Sequence, residues 1–262
     1  MQDQDNDMFS KPFFVAALFM ALCIPGLTPA LASQAHAPKP ATAKSTAPYP
    51  NLTSAGYPDL LQRMARAAPA ANPSVIGLAL TALDCALSNG MTPARNLTLI
   101  DYSLVSTKPR LWVFDLNTGK LLFQELVAHG KNTGENVARH FSNTYGSLQS
   151  SLGLFLTKET YNGANGYSLR MEGLEAGFND KAMERAIVFH GAPYVNYNHI
   201  RKYGRLGRSW GCPAVNNGIA RKVIDTIKGE QFLFSYYPDQ QWLSSSKFLN
   251  CPAQQQISLR TD

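Results

Sequence analysis

The chain has 262 residues, 45% of them hydrophobic and 10% aromatic, an ordinary globular composition that supplies a real core and argues against a disordered chain. Its formal charge of +6 favours anionic partners, whether a cell wall, a membrane surface or nucleic acid. The basic residues are scattered apart from a knot at Arg201, Lys202, Arg205 and Arg208.

Residues 13 to 24, FFVAALFMALCI, form an uncharged apolar run too short to span a bilayer comfortably. Lys11 precedes the run and ALA at 30 to 32 follows it, the pattern of a secretory signal peptide over residues 1–32. Asp3, Asp5 and Asp7 are foreign to such a leader, which leaves Met8 open as the start. An uncleaved anchor is the competing reading, and a lipoprotein through Cys23 is disfavoured by bulky Leu22 before it. Cleavage after Ala32 lowers Lys plus Arg from 24 to 23 and Asp plus Glu from 18 to 15, so the charge rises to +8. An exported basic protein, in the periplasm or cell wall of a bacterium, leaves nucleic acid the weakest of the three partners.

Residues 33–58, rich in Ala, Pro, Ser and Thr, read as a linker. A short helical segment follows over 59–94. In it Val75, Leu78, Ala79, Ala82, Leu83 and Ala86 recur at helical spacing from Pro73 to Ser88, with Asn72 or Ser74 to cap and Asn89-Gly90 to stop. The pattern then turns to strands: 96–102, 110–116, 120–128, 152–157, 167–172 and 186–190. LNTGK at 116–120 and NGANG at 162–166 supply turns between them. A helix over 220–228 and a strand over 231–237 close a domain spanning 95–240, with a C-terminal tail at 241–262. Many short strands and few helices predict a mostly β (α+β) fold, a sandwich or barrel.

Three cysteines remain after processing, Cys85, Cys212 and Cys251, and an odd number in an oxidising compartment leaves a thiol unpaired. Cys85 with Cys251 is the pairing to expect, leaving Cys212. Cys212 lies in GRSWGCPAV (207–215), a turn poor in core residues, which suits an exposed reactive thiol better than a packed one. A nucleophilic cysteine needs a base or a positive neighbour. His190 closes the apolar strand AIVFH and precedes Gly191, so its imidazole emerges at a strand end. The loop 191–211 is long enough to bring Cys212 back beside it, for acyl transfer with a low-pKa thiolate. Backbone N–H groups at Gly211 and Cys212 would cradle the oxyanion.

HG at 190–191 followed by SWGC at 209–212 resembles the L,D-transpeptidase (YkuD-like) family, in its murein L,D-transpeptidase catalytic domain-like branch. The resemblance extends from about Leu97 to Tyr237 through VAHGKNTG (127–134), FSNTYGSLQSSLG (141–153), GLEAGFNDKAMERAIVFHGA (173–192) and GRLGRSWGCPAV (204–215). It implies a YkuD-like β-sandwich or barrel without a cofactor or metal. Cys212 is then the nucleophile and His190 the general base, with a carbonyl near Gly191 orienting the imidazole and Ser209 and Gly211 shaping the elbow. The implied substrates are peptidoglycan stem tetrapeptides, joined through a cysteine acyl-enzyme into 3–3 cross-links. Water in place of the acceptor amine would give an L,D-carboxypeptidase. The family's frequent Arg or Asn two residues after the nucleophile is Ala214 here, so Arg208 and then Arg205 are the candidates for a substrate carboxylate. Its frequent histidine before Gly-Cys is Trp210, either a lid over the stem peptide or a packed core residue. Tyr145, with Ser150 and Ser151, lies in a conspicuous loop and is a candidate substrate contact.

Three other readings compete. A zinc peptidase built on His129, His190, His199 and Cys212 lacks the usual local ligand pairs. A wall-binding module would use only the basic knot. A thiol hydrolase cleaving wall cross-links would share the acyl-enzyme and differ in the acceptor. His129-Gly130 repeats the histidine-glycine pair with no cysteine after it at a suitable place, and reads as a strand-end structural feature.

Overall fold

The structure is a computed structural model that describes residues 58–251. The leader at 1–32, the linker at 33–58 save its last residue, and 252–262 of the tail lie outside the described residues. Among the described residues no helix is long and apolar enough to cross a membrane.

Two helices open the described chain. α1 (Pro58–Ala67) carries Asp59 in its first turn and Arg66 in its last, both favourable to the helix dipole, and buries Leu60 and Met64 one turn apart. α2 (Pro73–Ser88) starts as its sequence predicts, with proline in the first turn and the Asn72 side chain accepting the Ser74 N–H at 2.9 Å. Its burial reaches almost all round, from Val75 to Ala86, because it is sandwiched rather than laid on a surface.

Eight strands follow: β1 (Asn96–Asp101), β2 (Leu111–Asp115), β3 (Leu121–Glu125), β4 (Gly153–Gly163), β5 (Gly166–Gly173), β6 (Val188–Ala192), β7 (Ala214–Asn216) and β8 (Phe232–Tyr236). They form one sheet in the order β3-β2-β1-β8-β4-β5-β6-β7, antiparallel except for the pairs β1–β8 and β6–β7. The sheet's two edges meet where Ala128, just past β3, bridges Ala214 of β7, its N–H donating to the Ala214 carbonyl at 2.8 Å. The expected mostly β, α+β fold is therefore a single, nearly closed sheet rather than two packed layers.

Period-two alternation divides the core. Leu97, Leu99, Trp112, Phe114, Phe232 and Phe234 pack with α1, α2 and Trp242. Ile100, Leu111, Val113, Phe155, Leu169 and Leu233 face the other way, onto Val223, Ile224 and Ile227 of α4 (Asn217–Ile227). Two further short α-helices, α3 (Tyr197–Tyr203) and α5 (Gln240–Ser245), and a 3₁₀ turn at Lys131–Thr133 complete the described helices. The disulfide Cys85–Cys251 ties the end of α2 to the chain after α5. Up to residue 251, the stretch read as a tail is thus built into the core: Trp242 is fully buried, and Phe248 and Leu249 are buried beside it.

Several boundaries differ from the pattern: β4 runs six residues further, to Gly163, and α4 begins three residues earlier, at Asn217. Ala186 adopts φ +53°, which no strand allows, so β6 begins at Val188 and runs on through Gly191. β7 is three residues long, too short for a periodic signal. β3 stops at Glu125, and the apolar residues after it leave the sheet to meet β7 only at Ala128.

Candidate active site

The GRSWGCPAV turn is fastened from within. Ser209 Oγ donates to the Cys212 carbonyl at 2.6 Å and accepts the Gly211 N–H at 3.1 Å. From outside, the Ser209 N–H donates to the His129 carbonyl and the Lys131 N–H to the Ser209 carbonyl, at 3.0 and 2.7 Å. Gly211 has φ +124°, and a Cβ there would fall 2.8 Å from the Gln149 carbonyl oxygen. A Cβ on Gly130 would lie 2.4 Å from the Leu148 oxygen and 2.9 Å from Gly211 Cα, so this close approach also demands glycine. Ser150 locks the junction: its hydroxyl accepts the Gly130 N–H and donates to the Gly211 carbonyl, each at 3.0 Å.

β6 and β7 pair with His190 opposite Ala214. Carried back two residues, that register sets Cys212 opposite Val188, and the Val188 N–H indeed meets Cys212 Sγ at 3.4 Å. His190 on β6 and Cys212, two residues before β7, are thus both set at the β6–β7 seam. The His190 Nδ1 lies 2.9 Å from the Gly191 carbonyl oxygen. A carbonyl only accepts, so Nδ1 carries the proton, and Nε2 of the neutral ring keeps its lone pair. Burial lowers the His190 pKa against the opposing Gly191 bond, which holds the ring in that neutral form at pH 7. Gly191 itself abuts α4, where a Cβ would meet Asn217 Oδ1 at 2.7 Å.

Cys212 is only 9% exposed and belongs to the core cluster under α4, contrary to the exposed thiol its turn suggested. The sequence around it is polar, but the turn folds inward on Ile187 and Val188. Burial pushes the thiol pKa up, opposed by the Val188 N–H and the nearby Arg185 charge. The resting site is therefore a neutral thiol beside a neutral imidazole, not the expected low-pKa thiolate. Of the two amides proposed for the oxyanion, that of Gly211 is already bonded to Ser209 Oγ.

The other four candidate residues are placed as follows. Arg205 and Arg208 both clasp Glu135, Arg205 at 2.8 Å, so their charges are already met within the protein. Arg208 also donates to the Lys131 and Gly134 carbonyls. Trp210 is 41% exposed, which places it over the turn rather than in the core. Tyr145, 71% exposed, stands in the 142–151 loop, whose residues 147–149 reach Asn132, Arg185 and Gly211. His129, His190, His199 and Cys212 do not form a ligand set: among the described residues no three His, Cys, Asp or Glu side chains converge.

Sequence reasoning overlooked two arginines. Arg110 is fully buried, donating to the Val127 and Leu104 carbonyls and, at 2.8 Å, to His129 Nδ1. Arg185 donates four hydrogen bonds into the 142–151 loop. Nothing in their local spacing marks either, since both act on segments distant in sequence.

A family model of the L,D-transpeptidase catalytic domain (YkuD_2) matches residues 67–236. The match takes in α2 as well as the sheet. No curated protein is similar enough in sequence to match the chain. Among solved structures the chain is similar to an L,D-transpeptidase from Mycobacterium smegmatis, with 13% identity, a TM-score of 0.36, and 56% of this chain and 60% of that one covered. It is also similar to Bd1075 of Bdellovibrio bacteriovorus, with 19% identity, a TM-score of 0.35, and 55% and 48% covered. An L,D-transpeptidase from Xylanimonas cellulosilytica shows 13% identity and a TM-score of 0.32, with 69% and 94% covered. The chain belongs to the L,D-transpeptidase catalytic domain family.

Proposed function

We propose, on the premise of that family membership, that the protein is a cysteine acyltransferase that cross-links peptidoglycan stem peptides outside the bacterial cytoplasm. The observation that carries the reading is the wiring of His190: its Nδ1 proton is committed to the Gly191 carbonyl, which keeps the Nε2 lone pair for a base's role at the β6–β7 seam where Cys212 meets Val188.

The chemistry follows from that wiring. Cys212 Sγ attacks the carbonyl carbon of the third residue of a donor tetrapeptide as its proton passes to His190 Nε2. The tetrahedral intermediate collapses, the C–N bond breaks, and His190 returns the proton to the departing D-amino acid. The side-chain amine of an acceptor stem then attacks the thioester, yields its proton through His190, and releases Cys212. Water in place of that amine gives a tripeptide. The neutral resting pair suits this sequence, because deprotonation is coupled to attack and no thiolate waits for stray electrophiles. The apolar run at 13–24 and the basic charge support a place in the periplasm or cell wall.

Mass spectrometry of muropeptides, after incubating the protein with disaccharide tetrapeptides, tests the reading. Dimers bonded between third residues are expected with the wild type and none with Cys212→Ala, whose melting temperature should stay close to wild type. Tripeptides without dimers would reassign the activity as a carboxypeptidase. No product from a folded wild-type protein would overturn the enzymatic reading.

A further inference from the structure

Arg185 directly precedes Ala186, whose carbonyl lies 3.7 Å from Cys212 Sγ, and its surroundings are built around it. Its Nη1 donates to the Ser142 carbonyl and Ser151 Oγ, both at 2.6 Å. Its Nη2 donates to the Gln149 carbonyl at 2.6 Å and Ser147 Oγ at 3.1 Å. The same Nη2 lies 3.5 Å from where a Cβ on Gly211 would stand, so the group is wedged between the 142–151 loop and the nucleophile turn. Among the described residues no carboxylate is its partner; every acceptor is a carbonyl or a hydroxyl.

Backbone strain marks both ends of this clasp. Ala186, next to Arg185, has φ +53°, and Leu148, lying between the arginine's partners Ser147 and Gln149, has φ +56°. Left-handed backbone at a β-carbon-bearing residue costs about 1–3 kcal/mol and persists where the surroundings over-determine it. Here the Ala186 conformation does two things at once. It aims Arg185 into the loop, and it brings the Ala186 carbonyl and the Val188 N–H to Cys212 Sγ, at 3.7 and 3.4 Å.

We propose that Arg185 is a positioning residue, the fixed countercharge of the Cys212 thiolate and the clasp that holds the 142–151 loop against the nucleophile turn. This rests on the reading of Cys212 as nucleophile. A partly buried guanidinium with no carboxylate finds its compensating charge when Cys212 yields its proton, and loses it when the thioester forms. Arg185 therefore favours the attacking and leaving states of the sulfur over the acylated one. The other titratable groups coupled to or placed beside Cys212 are His190 on β6 and Tyr102 just past β1. Burial pushes the Tyr102 phenol up to about 12, so it stays neutral over the range in question.

The test is the pH dependence of Cys212 alkylation by iodoacetamide, read by mass of the Cys212 peptide, in the wild type, Arg185→Gln and Arg185→Lys. Loss of the charge should raise the midpoint by about one unit, and the thiolate fraction below it should fall about tenfold. Arg185→Lys keeps a charge without the fork, so its midpoint should stay within about half a unit of wild type. An unchanged midpoint in folded Arg185→Gln would overturn the proposal. Should that variant not fold, a lysine midpoint displaced by a full unit would overturn it instead. Alkylation needs no cell-wall substrate. A shifted midpoint in a protein that turns over no muropeptide would sink the proposed reaction and leave the countercharge standing.

Discussion

Two histidine-glycine pairs converge on one turn and are wired in opposite senses. The His129 carbonyl accepts the Ser209 N–H, and the His190 N–H donates to the Pro213 carbonyl at 3.3 Å, so both pairs grip the segment carrying Cys212. At His129 the buried Arg110 Nη2 donates to Nδ1, which forces the ring proton onto Nε2, 3.2 Å from the Gly134 carbonyl oxygen. Both nitrogens are spent. At His190 the carbonyl of Gly191 claims the Nδ1 proton, and among the described residues nothing bonds Nε2. The residue type and the local motif are the same; what separates a base from a brace is which neighbour donates and which accepts.

His190→Ala is the sharpest way to break that contrast. Losing a positioned general base should lower kcat/KM by about 10² to 10⁴-fold, a loss far larger than any fraction of protein unfolded by the cavity that truncating this buried ring leaves. Because burial lowers the His190 pKa, the acid limb of wild-type activity should lie below 6.5, the ordinary value. Activity already halved at a pH above 6.5 would count against His190 as the base.

His129→Phe should do the reverse, moving stability rather than chemistry. The variant leaves an Arg110 donor and the Gly134 carbonyl unmatched in a dry site, at a cost of about 2–3 kcal/mol in chemical denaturation. Burial and the Arg110 charge hold His129 down to about 3. The folded protein therefore binds fewer protons than the unfolded chain between about 3 and 6.5, and its stability falls as pH drops through that window. The wild type should lose more stability than His129→Phe on acidification from pH 6.5, with the difference gone above it. Parallel curves would show that His129 is charged in the fold.

The same contrast explains how far the sequence could be read. α2 and the central strands declare themselves because their signals are local: an asparagine cap, a 3.6-residue period, apolar runs bounded by turns. Cys212 and His190 were found through a motif, since the parallel β6–β7 pairing that joins them is invisible in three residues of strand. The burial of Cys212 could not be read, because the apolar lining from Ile187 and Val188 arrives from 24 or 25 residues upstream. Arg110 and Arg185 escaped for a related reason: their partners are backbone carbonyls and hydroxyls on other segments, and no sequence spacing encodes a carbonyl. Glu135 was missed likewise, so two arginines read as a carboxylate site turn out to hold a carboxylate of their own.

That pairing sets the mildest test. Glu135 is largely exposed while its two arginine partners are mostly buried, and solvent screening at the carboxylate holds the clasp to at most about 1 kcal/mol. Glu135→Gln should therefore lower stability by less than that and leave kcat/KM within about twofold of wild type. The site's histidines would be untouched, since His129 bonds the Gly134 carbonyl rather than the Glu135 side chain. A several-fold fall in KM at unchanged kcat would mean something else. Glu135 would then be occupying the place of a substrate carboxylate, and Arg205 and Arg208 would be binding groups after all rather than the hinge pins of the loop at 131–135.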